Sequence, residues 1–566
     1  MDSRTIAVVL AVATLVYLVG GPLFMLLLAS FKETENALPF EAGVPWTLQN
    51  YVNVFLDQQT YQVLVATLAF AGGALAVSFA LSMTLAWLIE RTDLPFANAV
   101  FVVIVAAIGI PNVIAAISWS LLLNPQNGMI NIALRGLFGI EGPGPVNVYT
   151  LAGMIFVQGI TLVPITFLLV VAAFRAMDAS LEDAAATSGA SPPVVARRVV
   201  LPLLLPAILS ALVYQFVSVV ESFDIPLVIG LRGGITVLST RIFIEANPAA
   251  GLPDYGLASA YSAFLLAIAL GPLLFYNRVI GRSSRYATVS GHSFRTRRVK
   301  LGRWKPVAVA LVLVFIAVIF VLPTLTLIWT SLQPFYAVPS AESIARASLD
   351  AYEEVLTGRQ VRNAIGNTIL LGAATGIGAM TLGLLIGWIL VRGKSRLRFL
   401  LDLLAFTPHA MPGVIIGLSV LLLYLLLPVP VYGTIWIIVI ALTTQYVSIA
   451  TRLMSGGITQ IHGHLEEAAA TSGAGWADTM RRVVLPLVLP AFLNGALLVF
   501  LLSIKNLTLA LLLYSPRSEV LSTLVWNLWD KADTAGTAVV GIVMIAITLT
   551  MAVLLRRVGS LGSLRT

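Results

Sequence analysis

Twelve stretches of largely apolar residues, most of them about 20 residues or longer, punctuate this chain. They fall at roughly 6–30, 63–88, 98–123, 149–174, 205–230, 257–280, 307–331, 364–391, 398–427, 434–453, 488–514 and 536–555. A helix needs about 20 such residues to cross the hydrocarbon layer of a bilayer. Composition removes the soluble alternative: only 11% of the residues are charged, against roughly 25% in a soluble domain. The runs are continuously apolar rather than alternating, which argues against a transmembrane barrel. The expected fold is therefore all-α and polytopic, with about twelve transmembrane helices. The first run, Ile6 to Leu28, is longer than a signal-peptide core of about 7–15 residues and has no small-x-small cleavage site after it, so it is read as the first span. The chain has no cysteine, which excludes disulfides and Cys-ligated metal centres.

Lys and Arg set the orientation of such a chain. If the N-terminus is inside, the inner segments carry 24 of them and the outer segments nine, with Lys505 inside a span. Both termini are thus expected in the cytoplasm, and the net charge of +8 reads as a topology bias rather than a nucleic-acid footprint. The densest basic stretch, Arg278 to Lys305, contains no acidic residue and lies mid-chain. It reads as a cytoplasmic linker (281–305) between a first half (1–280) and a second half (306–566), six spans each; contact with anionic lipid is compatible with that role.

Self-comparison supports the division. Residues 181–206 read LEDAAATSGASPPVVARRVVLPLLLP, and 465–490 read LEEAAATSGAGWADTMRRVVLPLVLP, at a constant offset of 284. Upstream, Trp87 and Trp388, Arg91 and Arg392, and Pro111 and Pro412 are offset by 301. The first half therefore holds 17 extra residues, assigned mostly to the outer segment 124–148. Each copy follows its half's fourth span, so the two halves are parallel repeats about an axis along the membrane normal.

The repeated segment has the makings of a short helix-turn-helix. Its Ala-rich first part favours helix, Gly189 and Gly473 suit a helix end, and Pro202 and Pro486 mark the return to the membrane. Ala184, Ala185, Ala468 and Ala469 allow another protein's surface to approach closely. Glu182, Asp183, Glu466 and Glu467, with Arg198 and Arg482, can fix the register of such a contact. Two like docking elements imply a two-fold partner.

This segment resembles the EAA loop of ABC-importer permeases, here EDAAATSG…VVLP and EEAAATSG…VVLP. The whole chain is similar to fused double permeases of the ferric-iron import type, with stretches at Ile110–Asn131 and Leu501–Leu513 of that kind. Asp183 stands where the other copy has its second Glu. The resemblance implies an inner-membrane permease of type I architecture, docked through both loops on a separate ATPase dimer that binds ATP and Mg, and served by a periplasmic substrate-binding protein. It implies ferric iron as cargo, with thiamine, a phosphonate or a polyamine as alternatives within the class. An ion-coupled secondary transporter is the alternative from another class; the doubled loop argues against it, since such a carrier has no ATPase to dock.

Two charges lie inside spans at equivalent positions, Glu221 and Lys505, again 284 apart. An ionisable group in hydrocarbon costs at least about 2.5–3.5 kcal/mol and so faces a partner or water. These two are expected to pair or to face one another across the translocation path; a static pair that fixes helix packing is the plain alternative. Asp224 lies three residues on and is expected to line the outer mouth or cap an unwound stretch before Pro226. Asn506 is placed on the same path. Pro111 and Pro412 are expected to kink or break spans three and nine. GxxxG spacings at Gly372–Gly376 and Gly383–Gly387 point to close helix packing.

Other signals fail. Gly393-Lys394-Ser395 ends like a P-loop, but the required upstream glycine is Trp388. His462 and His464 are too few for a metal site, His409 reads as a packed polar residue, and no cofactor loop or catalytic triad is present. No bound cofactor is expected on this chain. The outer segments suffice to dock a receptor but not to be one.

Overall fold

The structure, a computed structural model, describes residues 3–34, 37–176, 184–185, 187–280, 299–393 and 397–563. Among these, the only extended pairing is two isolated bridges, and everything else regular is helix. Ten helices are long and apolar enough to cross a membrane, and three more helix pairs are sharply bent. Two of the bent pairs, Ala97–Gly109 with Asn112–Leu123 and Arg398–Ala410 with Gly413–Leu426, are the expected spans three and nine, broken by 98° and 112°. Together with the ten long helices they make up the twelve spans read from the sequence.

The repeat is visible in backbone detail. Gln58–Arg91 and Arg359–Arg392 are both 34-residue helices, offset by 301. Widened, π-type turns occur at Val16–Gly20 and Ala317–Val321, and again at Ala196–Val200 and Met480–Val484. Each sits just before a proline: Pro22, Pro323, Pro202 and Pro486. A proline in a helix has no N–H to give and its ring collides with the carbonyl four residues back. That carbonyl falls inside the widened turn in all four cases, so the helix relaxes locally and runs on.

Spans five and eleven differ from expectation. The helices end at Val220 and Ile504 instead of running to about 230 and 514. In the first half Pro226 stands at the first position of a new helical segment, where its missing N–H costs nothing, and Pro226–Gly233 with Leu238–Ala246 forms the third bent pair, at 86°. In the second half the Asn506 side chain accepts the Leu509 N–H at 3.0 Å and starts a new helix, Leu507–Leu513. Glu221 and Lys505 therefore stand at helix ends, not within helices.

The two halves interlock. Helix Gly21–Ser30 of the first half packs on Gly413–Leu426 of the second, and Leu322–Ser331 packs on Asn112–Leu123. Tyr17 donates to the Tyr424 hydroxyl at 2.7 Å, and the Tyr336 hydroxyl donates to the Leu121 carbonyl at 2.5 Å. Most of the basic linker, 281–298, lies outside the described residues. Its end is tied to the first half: Val299 N–H donates to the Arg91 carbonyl at 2.8 Å, and Leu301 N–H donates to the Asp93 carboxylate at 2.8 Å. That N–H, with Lys305 at 3.2 Å, holds the Asp93 carboxyl below the ordinary carboxylate range.

The GxxxG glycines pack as their spacing suggests. A Cβ on Gly376 would lie 2.7 Å from the Ala496 carbonyl oxygen, and one on Gly383 would lie 2.6 Å from the Ala450 backbone. Helix Arg359–Arg392 thus touches both neighbours backbone to backbone. Gly456, by contrast, has open space around it. Gly383→Ala is expected to cost about 1–3 kcal/mol through overpacking, while Gly456→Ala should be neutral or mildly stabilising. Thermal unfolding in detergent compares the two.

Candidate permeation cavity and coupling loops

The breaks in spans three and nine create the site. A helix end leaves carbonyls or N–H groups without partners, and inside a membrane these must be met by protein or by a water-filled cavity. The turn Ala107–Gly109 closes the first arm of span three, and Pro111 precedes the second arm. The Ile108 carbonyl is met from the other half: Lys505 Nζ donates to it at 2.9 Å. A cation at a helix C-terminus also opposes the negative end of the helix dipole. At the second break the geometry is mirrored in charge. The Gly413 N–H, at the start of Gly413–Leu426, faces the Glu221 carboxylate, where an anion meets the positive end of a helix.

These groups border one cavity of about 200 Å³ between the halves, with Glu221, Asp224, Lys505, Asn506, Gln445 and Tyr446 among its walls. Glu221 and Lys505 face the same space, but no ion pair joins them among the described residues. Asn506 donates to Gln445 Oε1 at 3.1 Å and to the Tyr446 hydroxyl at 3.3 Å. Asp224 is 8% exposed and its Oδ1 has no hydrogen-bond partner, so that oxygen does not cap the stretch before Pro226. Pro111 and Pro412 are buried at the breaks. His409 lies against the rings of Tyr214 and Phe406, as a packed polar residue would. No group of three His, Cys, Asp or Glu that could hold a metal ion occurs among the described residues.

Each loop follows the fourth span of its half, Leu151–Ala176 in the first and Ile435–Thr459 in the second. In the second, His464–Thr471 is a helix that ends with Gly473 at φ +84°. The Ala474 N–H reaches back to the Ala469 carbonyl and the Gly473 N–H to the Ala470 carbonyl, a Schellman closure. The first loop repeats it, with Gly189 at φ +83° and Ala190 N–H on the Ala185 carbonyl. Glu182 and Asp183 lie outside the described residues. Ala184 and Ala468 are exposed, and Ala185 and Ala469 half-buried. Arg198, Pro202, Arg482 and Pro486 are exposed on the continuing helices. Arg482 pairs loosely with Asp478 at 3.7 Å, and exposed Glu467 pairs with His464 at 3.1 Å.

Glu466 turns inward instead. Its carboxylate accepts Arg392 Nε at 2.9 Å and Trp388 Nε1 at 3.0 Å. Arg392 also donates to the Ile461 carbonyl, and Trp388 packs edge-on against Trp476 of the same loop. The loop is thereby bolted to the end of the 34-residue helix.

The sequence profile for the binding-protein-dependent transport system inner membrane component matches twice, at residues 95–285 and 379–560. The chain belongs to that family. A Haemophilus influenzae protein provisionally named ferric transport system permease protein FbpB 1 is 25% identical over 488 residues, 85% of this chain and 74% of the relative. The ferric transport system permease protein FbpB of Actinobacillus pleuropneumoniae is 24% identical over 424 residues, 75% of this chain and 60% of the relative. A Salmonella typhimurium protein provisionally named 2-aminoethylphosphonate transport system permease protein PhnV is 30% identical over 161 residues, 28% of this chain and 60% of the relative. The chain thus spans about three-fifths to three-quarters of the length of these relatives. It is a multi-pass permease of the inner membrane, with the two halves of a binding-protein-dependent importer in one polypeptide.

Sequence reasoning located the loops but missed what holds them. Trp388 and Arg392 were already conspicuous, because Trp87 and Arg91 repeat them at the equivalent end of the first half's 34-residue helix. The partnership with Glu466 follows only from the fold, which brings residues 74 and 78 positions apart together. Replacing Glu466 with Ala removes the carboxylate that ties the loop to Arg392 and Trp388 and should loosen the loop. Hydrogen–deuterium exchange across 464–482 in the permease is expected to rise about tenfold or more, in line with the loss of charge-assisted hydrogen bonds worth about 1.5–3 kcal/mol each.

Proposed function

We propose that this permease imports ferric iron, with the two loops on the cytoplasmic face as its couplings to a separate ATPase dimer that binds ATP and Mg. A periplasmic substrate-binding protein presents the ion on the opposite face, and the central cavity bordered by Glu221, Asp224, Lys505 and Asn506 forms part of its path. Both termini lie in the cytoplasm, in keeping with the Lys and Arg bias. The halves are 1–280 and 306–566, joined by 281–305.

The observation that carries the reading is the twin Gly-closed loop, present in both halves with the same Schellman turn and exposed small residues. A paired docking element suits a two-fold motor. Iron as cargo is supported by the names of the relatives that align with most of the chain. A phosphonate is the second reading, because PhnV aligns at higher identity over a shorter stretch. A secondary carrier has no use for the loops.

Gly189→Pro combined with Gly473→Pro destroys both turns, since proline cannot adopt a positive φ. The double variant is expected to reach the membrane but to lose co-purification of the ATPase and at least about 90% of uptake. ATPase assembly and uptake that survive both changes contradict the coupling role. The cargo is settled by measuring which ligand the cognate substrate-binding protein holds, with ferric ion expected and an organophosphonate contradicting it.

A further inference from the structure

The opening helix of the second half leaves one flank uncovered where it meets the first half. Its Ala308, Val312 and Phe315 are buried in a core shared with Leu85, Ile104 and Phe167. Beside that core runs a groove of about 610 Å³, from Pro95 of the first half along Lys305, Pro306, Val309, Ala310 and Leu313. Its wall on this helix extends from Gly302 to Leu313, about 17 Å of helix at 1.5 Å per residue. That is close to one leaflet of a hydrocarbon core about 30 Å thick. The wall belongs to Gly302–Ser331, one of the long apolar helices, so the groove opens on lipid.

Positive charge gathers at one end of it. Lys300 and Arg303 are exposed and have no acidic partner among the described residues. Lys305 is already met by Asp93 at 3.2 Å. Trp304 is 60% exposed, as suits a residue at headgroup level, and the Arg303 guanidinium lies 5.9 Å over its ring. The two-fold plan supplies no counterpart: at the offset of 301, Arg303 and Trp304 stand against Asp2 and Ser3.

We propose that this groove seats an anionic phospholipid, its phosphate held by Lys300 and Arg303 and one acyl chain laid along Pro306 to Leu313. Two cations above an apolar channel match a headgroup of net negative charge. A zwitterionic headgroup brings its own ammonium and gains less from them. Because both halves wall the groove, the lipid adds contact across the seam beside the linker. The binding chemistry is the same in either leaflet, and the orientation proposed above places it in the cytoplasmic one.

Native mass spectrometry of the purified full-length permease tests this. The lipid-stripped protein is mixed with equal amounts of phosphatidylglycerol and phosphatidylethanolamine carrying the same acyl chains. The first lipid retained is expected to be phosphatidylglycerol, by about fivefold or more, the worth of one Lys or Arg beside an anionic lipid. Lys300→Gln with Arg303→Gln should remove that preference, and Arg303→Lys should keep it. Ala310→Trp fills the groove without altering charge and should weaken retention of phosphatidylglycerol. Leu311→Trp, exposed on the same helix but outside the groove, should not. Equal retention of the two lipids by the parent protein, or an unchanged preference in the double Gln variant, overturns the proposal. Retention of phosphatidylglycerol that is indifferent to Ala310→Trp overturns the groove as its seat.

Discussion

A broken helix in a membrane must find partners for the groups it frees, and this requirement organises the centre of the permease. Pro111 and Pro412 interrupt equivalent spans, and the exposed ends would be prohibitive against lipid. They are tolerated because the opposite half answers them. Lys505 donates to the Ile108 carbonyl, and the Glu221 carboxylate faces the Gly413 N–H. Repeat-equivalent positions thus carry opposite charges for a physical reason: one caps a C-terminal end and the other an N-terminal end. The seam between the halves is held by the same groups that border the cavity, so any opening of the path must disturb them.

The interlocking first spans extend that seam. Gly21–Ser30 and Leu322–Ser331 each pack across onto the broken span of the other half. Glu466 fastens the second loop to Arg392 and Trp388. Helix Arg359–Arg392 in turn packs backbone to backbone on Leu485–Ile504, whose end carries Lys505. A push on the loop therefore has a contiguous, tightly packed route to the cavity. Under the proposed function this is the route by which a motor outside the membrane would work.

Much of this was legible in the sequence. Hydrophobic run length marked the spans, and the offsets of 301 and 284 marked the halves, because both signals are local or repeated. The prolines announced the breaks for the same reason. The early ends of spans five and eleven were not legible from hydropathy, since the residues after Val220 and Ile504 remain apolar enough to read as continuous span. Side-chain chemistry sets where helix begins again, with Pro226 at a first helical position and Asn506 capping the Leu509 N–H. Glu221 and Lys505 border one cavity without an ion pair between them, and residue identity did not announce their partners. Those partners are backbone groups, Ile108 and Gly413, and backbone groups leave no mark in residue identity.

The sequence has no cysteine, so single cysteines at Thr187 and Thr471, exposed and equivalent in the two loops, can carry spin labels without a background. Their separation in the assembled transporter, measured by pulsed electron resonance with and without trapped ATP, tests the coupling most directly. A distance distribution that shifts when nucleotide closes the ATPase dimer is expected. An unchanged distribution, with the dimer demonstrably closed, would contradict the idea that the loops carry its motion into the membrane.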